Sequence, residues 1–222
     1  MATKQNLHQG LLLRHAGVPL TEAAVALILL HGRGGSAQDM LDLGHELDAP
    51  GVVLLAPQAA NATWYPNRFV APVASNEPWL TSALAVVEEV VQRVVQAGIP
   101  LHKTILLGFS QGGCLALEYV ARTTQRYGAV VGLSAALIEN GDQPRTYTGT
   151  LESVPVFLGC SDVDAHIPIA RVDRSATIFA GLGATVDKRI YPGMGHTVNR
   201  DELQAIQDLL TQIAGAPQRN HL

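Results

Sequence analysis

The chain has 222 residues, enough for one domain with a full core. Hydrophobic residues make up 47% and charged residues only 15%, which excludes a chain held open by its own charge. The net charge of −4 comes without a basic block, so a nucleic-acid backbone is not an expected partner.

In chain order, residues 1–8 (MATKQNLH) lack a basic region followed by an apolar one. No signal peptide is expected there, and the default location is the cytoplasm. Residues 25–30 (VALILL) form a continuous apolar run, as in a strand buried on both faces, and far too short to span a membrane. A short helix is expected over 36–47, then a strand over 52–55 ending at Ala56-Pro57. Residues 58–78 show no clear period, and an irregular stretch of that length in a compact domain is usually functional. A long helix with apolar residues at helical spacing follows over 79–96 and stops at Gly98. Further strands are expected over 104–107, 129–133, 154–158 and 185–191. Helices are expected over 111–126, 168–182 and 201–213. Strands alternating with helices predict an α/β domain over 1–222, with a mostly parallel central sheet flanked by helices on both faces. Cys114 and Cys160 are too few for a disulfide framework and read as free buried thiols.

Four segments carry chemistry. Gly108-Phe109-Ser110-Gln111-Gly112 matches G-x-S-x-G between a strand and a helix. A turn that tight needs very small residues two before and two after the serine. It presents Ser110 as a nucleophile at the N-terminus of a helix, where negative charge is favoured. Leu30-His31-Gly32-Arg33-Gly34-Gly35 follows the first apolar run. Acyl transfer creates an oxyanion that needs two convergent N–H donors. Gln111 and Arg33 are the expected donors, with Gly32 the other choice in its loop, and His31 is expected to prop that loop. Tyr191-Pro192-Gly193-Met194-Gly195-His196 puts a histidine in a glycine-rich loop after the last strand, which suits the general base. His8, His15, His45, His102 and His221 lack such a setting and read as surface or structural residues. Residues 159–168 offer two acids to orient the base. Asp162, first after the strand end, is the expected partner, and Asp164 is its competitor. The chain order Ser110, Asp162, His196 is the nucleophile–acid–base order of α/β-hydrolases.

On these residues the sequence resembles the phospholipase/carboxylesterase family of α/β-hydrolases, which includes acyl-protein thioesterases and bacterial carboxylesterases. The pieces that carry the resemblance are LLHGRGGSAQDM, Ala56-Pro57, GFSQGG, the G-x-x-D…P segment from Gly159 to Pro168, and GMGH. The resemblance implies hydrolysis of short-chain esters or thioesters without a cofactor or metal. Two features depart from the family pattern. The acidic loop has two extra residues between Asp162 and Pro168, so Asp162 keeps the spacing from the glycine and Asp164 the spacing to the proline. Arg33 stands where the thioesterases commonly have an apolar residue, and HGRGG resembles small bacterial esterases near the dienelactone and hydroquinone-responsive hydrolases.

Residues 58–78 should lie over the C-terminal edge of the sheet, where open α/β folds bind ligands. Gly32, Trp64, Tyr65 and Phe69 are the expected substrate-binding residues, with Arg68 nearby, and Trp79 is assigned to the core. The Arg33 side chain is expected either to favour anionic esters or to face solvent or an acid such as Asp39. The leading expectation is a serine carboxylesterase acting on small or aromatic esters, with the small-molecule ester as its partner and a homodimer left open. A dienelactone-type hydrolase is the second reading, disfavoured because most such enzymes use cysteine. A non-catalytic binding protein on a hydrolase fold is the third.

Overall fold

The computed structural model describes residues 7, 8, 10 and 12–215. The N-terminal residues read above for a signal peptide, apart from 7 and 8, and His221 lie outside them. Seven strands form one sheet: β1 (Leu13–Gly17), β2 (Val25–Leu30), β3 (Val52–Pro57), β4 (Thr104–Phe109), β5 (Ala129–Leu133), β6 (Pro155–Ser161) and β7 (Thr185–Tyr191). Five helices connect or follow them: α1 (Ala37–His45), α2 (Trp79–Gln96), α3 (Gln111–Thr123), α4 (Ile169–Gly181) and α5 (Arg200–Gly215). The sheet order is β1-β3-β2-β4-β5-β6-β7, with only β1 antiparallel to its neighbour.

The apolar runs split between two cores because a strand's side chains alternate between its faces. Ala26, Ile28 and Leu30 of β2 pack with α2, α3 and α4, whereas Val25, Leu27 and Leu29 pack with α1 and α5. Every residue of β2, β3 and β5 is buried, as expected for parallel strands covered on both faces. α3 is buried from Gln111 to Ala121, so this helix is sunk into the molecule directly behind Ser110. Trp79, assigned to the core from sequence, packs against the α2–α4 core while remaining partly exposed. Among the described residues, no helix is long and apolar enough to cross a membrane.

Two parts of the fold were not anticipated. β1 (LRHAG) pairs only with β3 and leaves Arg14 and His15 exposed, so it has no apolar run to reveal it. Residues 134–154, between β5 and β6, contain no helix or regular strand. They are tied to α3 through Glu118, whose buried carboxylate accepts from Arg122 at 2.5 Å, Arg145 at 2.6 Å and the Tyr147 hydroxyl at 2.7 Å.

Candidate active site

Chain direction reverses across the sheet at β2, whose neighbours β3 and β4 follow it on opposite sides. The crevice beyond the C-terminal ends of β2 and β4 is the switch point where open α/β sheets bind ligands. The loop after β2 and the turn after β4 meet there.

Ser110 sits in that turn with φ 52 and ψ −119, a strained conformation for a residue with a side chain. The surrounding glycines make the turn sterically feasible. A Cβ on Gly108 would lie 2.3 Å from the Gly112 carbonyl carbon, and one on Gly112 would lie 2.1 Å from the Leu30 carbonyl oxygen. The need for very small residues at these two positions therefore has a direct steric origin. Gly113 is equally constrained, with Ala135 Cβ only 2.5 Å from the position of a side chain.

His196 Nε2 lies 2.9 Å from Ser110 Oγ. On the other side of the ring, His196 Nδ1 lies 2.7 Å from Asp164 Oδ2. The acid beside the histidine is therefore Asp164, and the expectation of Asp162 is corrected. β6 runs on to Ser161, three residues past the strand end read from the sequence, so the loop starts later and its second acid reaches the histidine. Exposed Asp162 instead accepts the Gly193 N–H at 2.7 Å, and Ser161 Oγ accepts that of Gly195 at 3.0 Å. These two side chains brace the loop that carries His196. The two extra residues of this loop therefore precede the acid.

The Asp164 side chain is fully buried beside His196. Burial would raise its pKa, but hydrogen bonds from His196 and from the N–H groups of His166 and Ile167 outweigh it and hold the carboxyl below its ordinary value. Those two backbone bonds measure 2.7 and 3.0 Å. An ionised acid fixed by two backbone donors keeps the Nδ1 proton of His196 in place and leaves Nε2 facing the serine.

His31 is buried and accepts the Ala59 N–H on Nε2 at 3.0 Å, which places its proton on Nδ1, 2.7 Å from the Gly32 carbonyl oxygen. Burial lowers its pKa, in keeping with this neutral form. It thus ties the loop after β2 to the segment after β3, the propping position expected for it. Gly34 N–H donates to Ala62 O and Gly35 N–H to Gly32 O, leaving the Arg33 N–H outside the loop's own bonds. Gln111 is the first residue of α3, where an N–H has no intrahelical acceptor.

Both of these residues also reach the same neighbouring loop with their side chains. Arg33 donates to the carbonyls of Pro66 and Tyr65 at 2.9 Å each and Asn67 at 2.8 Å. Gln111 donates to the Tyr65 carbonyl at 2.7 Å and accepts the Trp64 N–H at 2.9 Å. Arg33 stays exposed and does not pair with Asp39; its guanidinium clamps the loop. Trp64 departs from its expected place on the substrate wall. It is fully buried, donates its indole N–H to the His31 carbonyl at 2.9 Å, and packs in tilted contact between His31 and a buried His8.

A cavity of about 270 Å³ opens beside Ser110. Gly32, Tyr65 and Phe69 line it as expected, together with Arg33 and Arg68. His166 and Ile167 line it too, although the sequence reading singled out neither. Their place in the acidic loop, directly after Asp164, was the available signal. Cys114 lies on the cavity wall and Cys160 behind Asp164; burial pushes both thiols up to about 12, which keeps them neutral near pH 7.

A serine on a strained strand–helix turn, a histidine after the last strand and this doubly covered parallel sheet define an α/β-hydrolase fold. The chain belongs to the phospholipase/carboxylesterase family, whose model matches residues 18–214. A phospholipase/carboxylesterase from Dyadobacter fermentans has a crystal structure similar to this one, with a TM-score of 0.86 and 39% identity over 91% of this chain and 97% of that one. An acyl-protein thioesterase 1 from Gibberella zeae is 32% identical over 54% of this chain, and the match spans about half the length of that relative, 52%. One of the same name from Cryptococcus neoformans is 26% identical over 90% of this chain and 97% of its own length.

Proposed function

We propose that this protein is a serine carboxylesterase that hydrolyses small, short-chain or aromatic carboxylic esters or thioesters through an acyl-enzyme on Ser110. The observation that carries this reading is the relay from Ser110 Oγ to His196 at 2.9 Å and on to buried Asp164 at 2.7 Å. His196 Nε2 takes the hydroxyl proton as Oγ adds to the ester carbonyl carbon. The Arg33 and Gln111 N–H groups receive the oxyanion of the tetrahedral intermediate. Collapse breaks the bond to the leaving group, which takes its proton from His196 as an alcohol or thiol. Water then repeats the sequence on the acyl-serine and frees the acid. Asp164 stays ionised and stabilises the imidazolium that forms twice in each cycle.

The cavity of about 270 Å³ supports small substrates. The test is a series of 4-nitrophenyl esters from acetate to decanoate, assayed with the parent and Ser110→Ala. The expected result is highest kcat/KM on the short acyl chains and a loss of at least about a thousandfold in the variant. A variant retaining more than about a hundredth of parental activity would overturn the assignment.

A further inference from the structure

We propose that the physiological ester carries a carboxylate, and that Arg33 and Arg68 at the mouth of the cavity recognise it; this rests on the hydrolase reading above. Both side chains line the cavity that contains Ser110, and no aspartate or glutamate lines it. Among the described residues, no carboxylate lies within 4.0 Å of either guanidinium. Of the other described arginines, Arg93, Arg122, Arg145, Arg171, Arg174 and Arg189 each pair with an acid; Arg14, Arg126 and Arg200 pair with none either, but of these unpaired arginines only Arg33 and Arg68 line the cavity.

The contacts these two cations do make are to carbonyl oxygens. Arg33 directs three N–H groups at Tyr65, Pro66 and Asn67, and Arg68 directs one at His166 O at 3.1 Å. Carbonyl dipoles hold a guanidinium in place but leave its full charge. A guanidinium has five donors, so Arg33 keeps two N–H groups and Arg68 four. An apolar chain seated in the cavity would cover these charges without compensation, whereas a carboxylate gains charge-assisted hydrogen bonds.

The experiment measures kcat/KM by pH-stat on matched esters with the carboxylate on each side of the scissile bond in turn. Monomethyl glutarate is compared with methyl pentanoate, and 4-acetoxybutanoate with butyl acetate. The parent should prefer the charged member of at least one pair by about tenfold or more, the range expected for a hydrogen bond to a charged group. Added salt should weaken that preference. In Arg68→Gln the charged-to-neutral ratio should fall by about tenfold. Turnover of the neutral esters with no preference for either charged one overturns this inference and leaves the hydrolase reading standing. An unchanged ratio in a folded Arg68→Gln also overturns it, while a variant that fails to fold leaves the parent's selectivity and its salt dependence to decide. No turnover of any of the four esters overturns both readings.

Discussion

Asp162 and Asp164 lie two residues apart in one loop, yet the fold gives them different surroundings. Asp164 is buried among His196, two backbone N–H donors and the weak Cys160 thiol donor; Asp162 is exposed and holds the backbone of the histidine loop. Spacing alone cannot separate two such acids, because the choice depends on how far β6 continues, and Gly159-Cys160-Ser161 is compatible with either strand or turn. Ser110 and His196 were readable because each sits in a loop with a distinctive glycine pattern. Asp164→Asn should lower kcat by about three to four orders of magnitude, since an amide cannot stabilise the imidazolium and favours the wrong tautomer. Asp162→Asn should change it by about threefold or less, because the amide oxygen still accepts from Gly193 N–H. Steady-state kinetics of both variants on one short ester checks the ranking, and the reverse order would return the orienting role to Asp162.

At the scale of elements, the helices and strands with a strong local signal were legible. β2, β5 and helix α2 begin and end where their apolar patterns predict, and β7 spans the residues expected for it although its sequence is largely polar. β1 was not, because an exposed edge strand carries little hydrophobic alternation. Residues 134–154 were not, because their anchor is a charge network on α3 far away in sequence. α5 holds another feature hidden from sequence. Its first turn is closed by reciprocal bonds, Asn199 N–H to Glu202 Oε2 at 2.8 Å and Glu202 N–H to Asn199 Oδ1 at 3.0 Å. Glu202 is fully buried, and its other carboxyl oxygen has no partner. Gly159 leaves room for it, since a Cβ there would stand 2.1 Å from Glu202 Oε1 and displace the carboxylate. Burial raises the Glu202 pKa to about 7. In the unfolded chain a glutamate titrates near 4.3, so between these values the folded state holds the extra proton. Stability must therefore fall as pH rises through that window. Glu202→Gln removes this titration. Urea melts from pH 5 to 8 should show the variant gaining on the parent by roughly 2–3 kcal/mol over the range. Parallel stability curves would show that Glu202 is already ionised in the folded protein at pH 5.

At the scale of the whole molecule, the sheet gathers distant pieces of chain at one edge. Ser110 follows β4, Arg33 follows β2, Tyr65 and Arg68 follow β3, Asp164 follows β6 and His196 follows β7. Sequence alone identified most of these pieces and the parallel sheet, because buried parallel strands read as unbroken apolar runs. The way the pocket is tied together was not legible. Two side chains next to the proposed oxyanion donors, those of Arg33 and Gln111, meet on the single carbonyl of Tyr65. That contact links the loop after β2, the turn after β4 and the cavity wall. The central claim is that this assembly makes Ser110 a nucleophile, and intact-mass spectrometry after exposure to a fluorophosphonate tests it most directly. The account predicts a single stoichiometric adduct that maps to Ser110 and is absent in Ser110→Ala. No adduct on the folded protein, or an adduct on another residue that persists in Ser110→Ala, would contradict it.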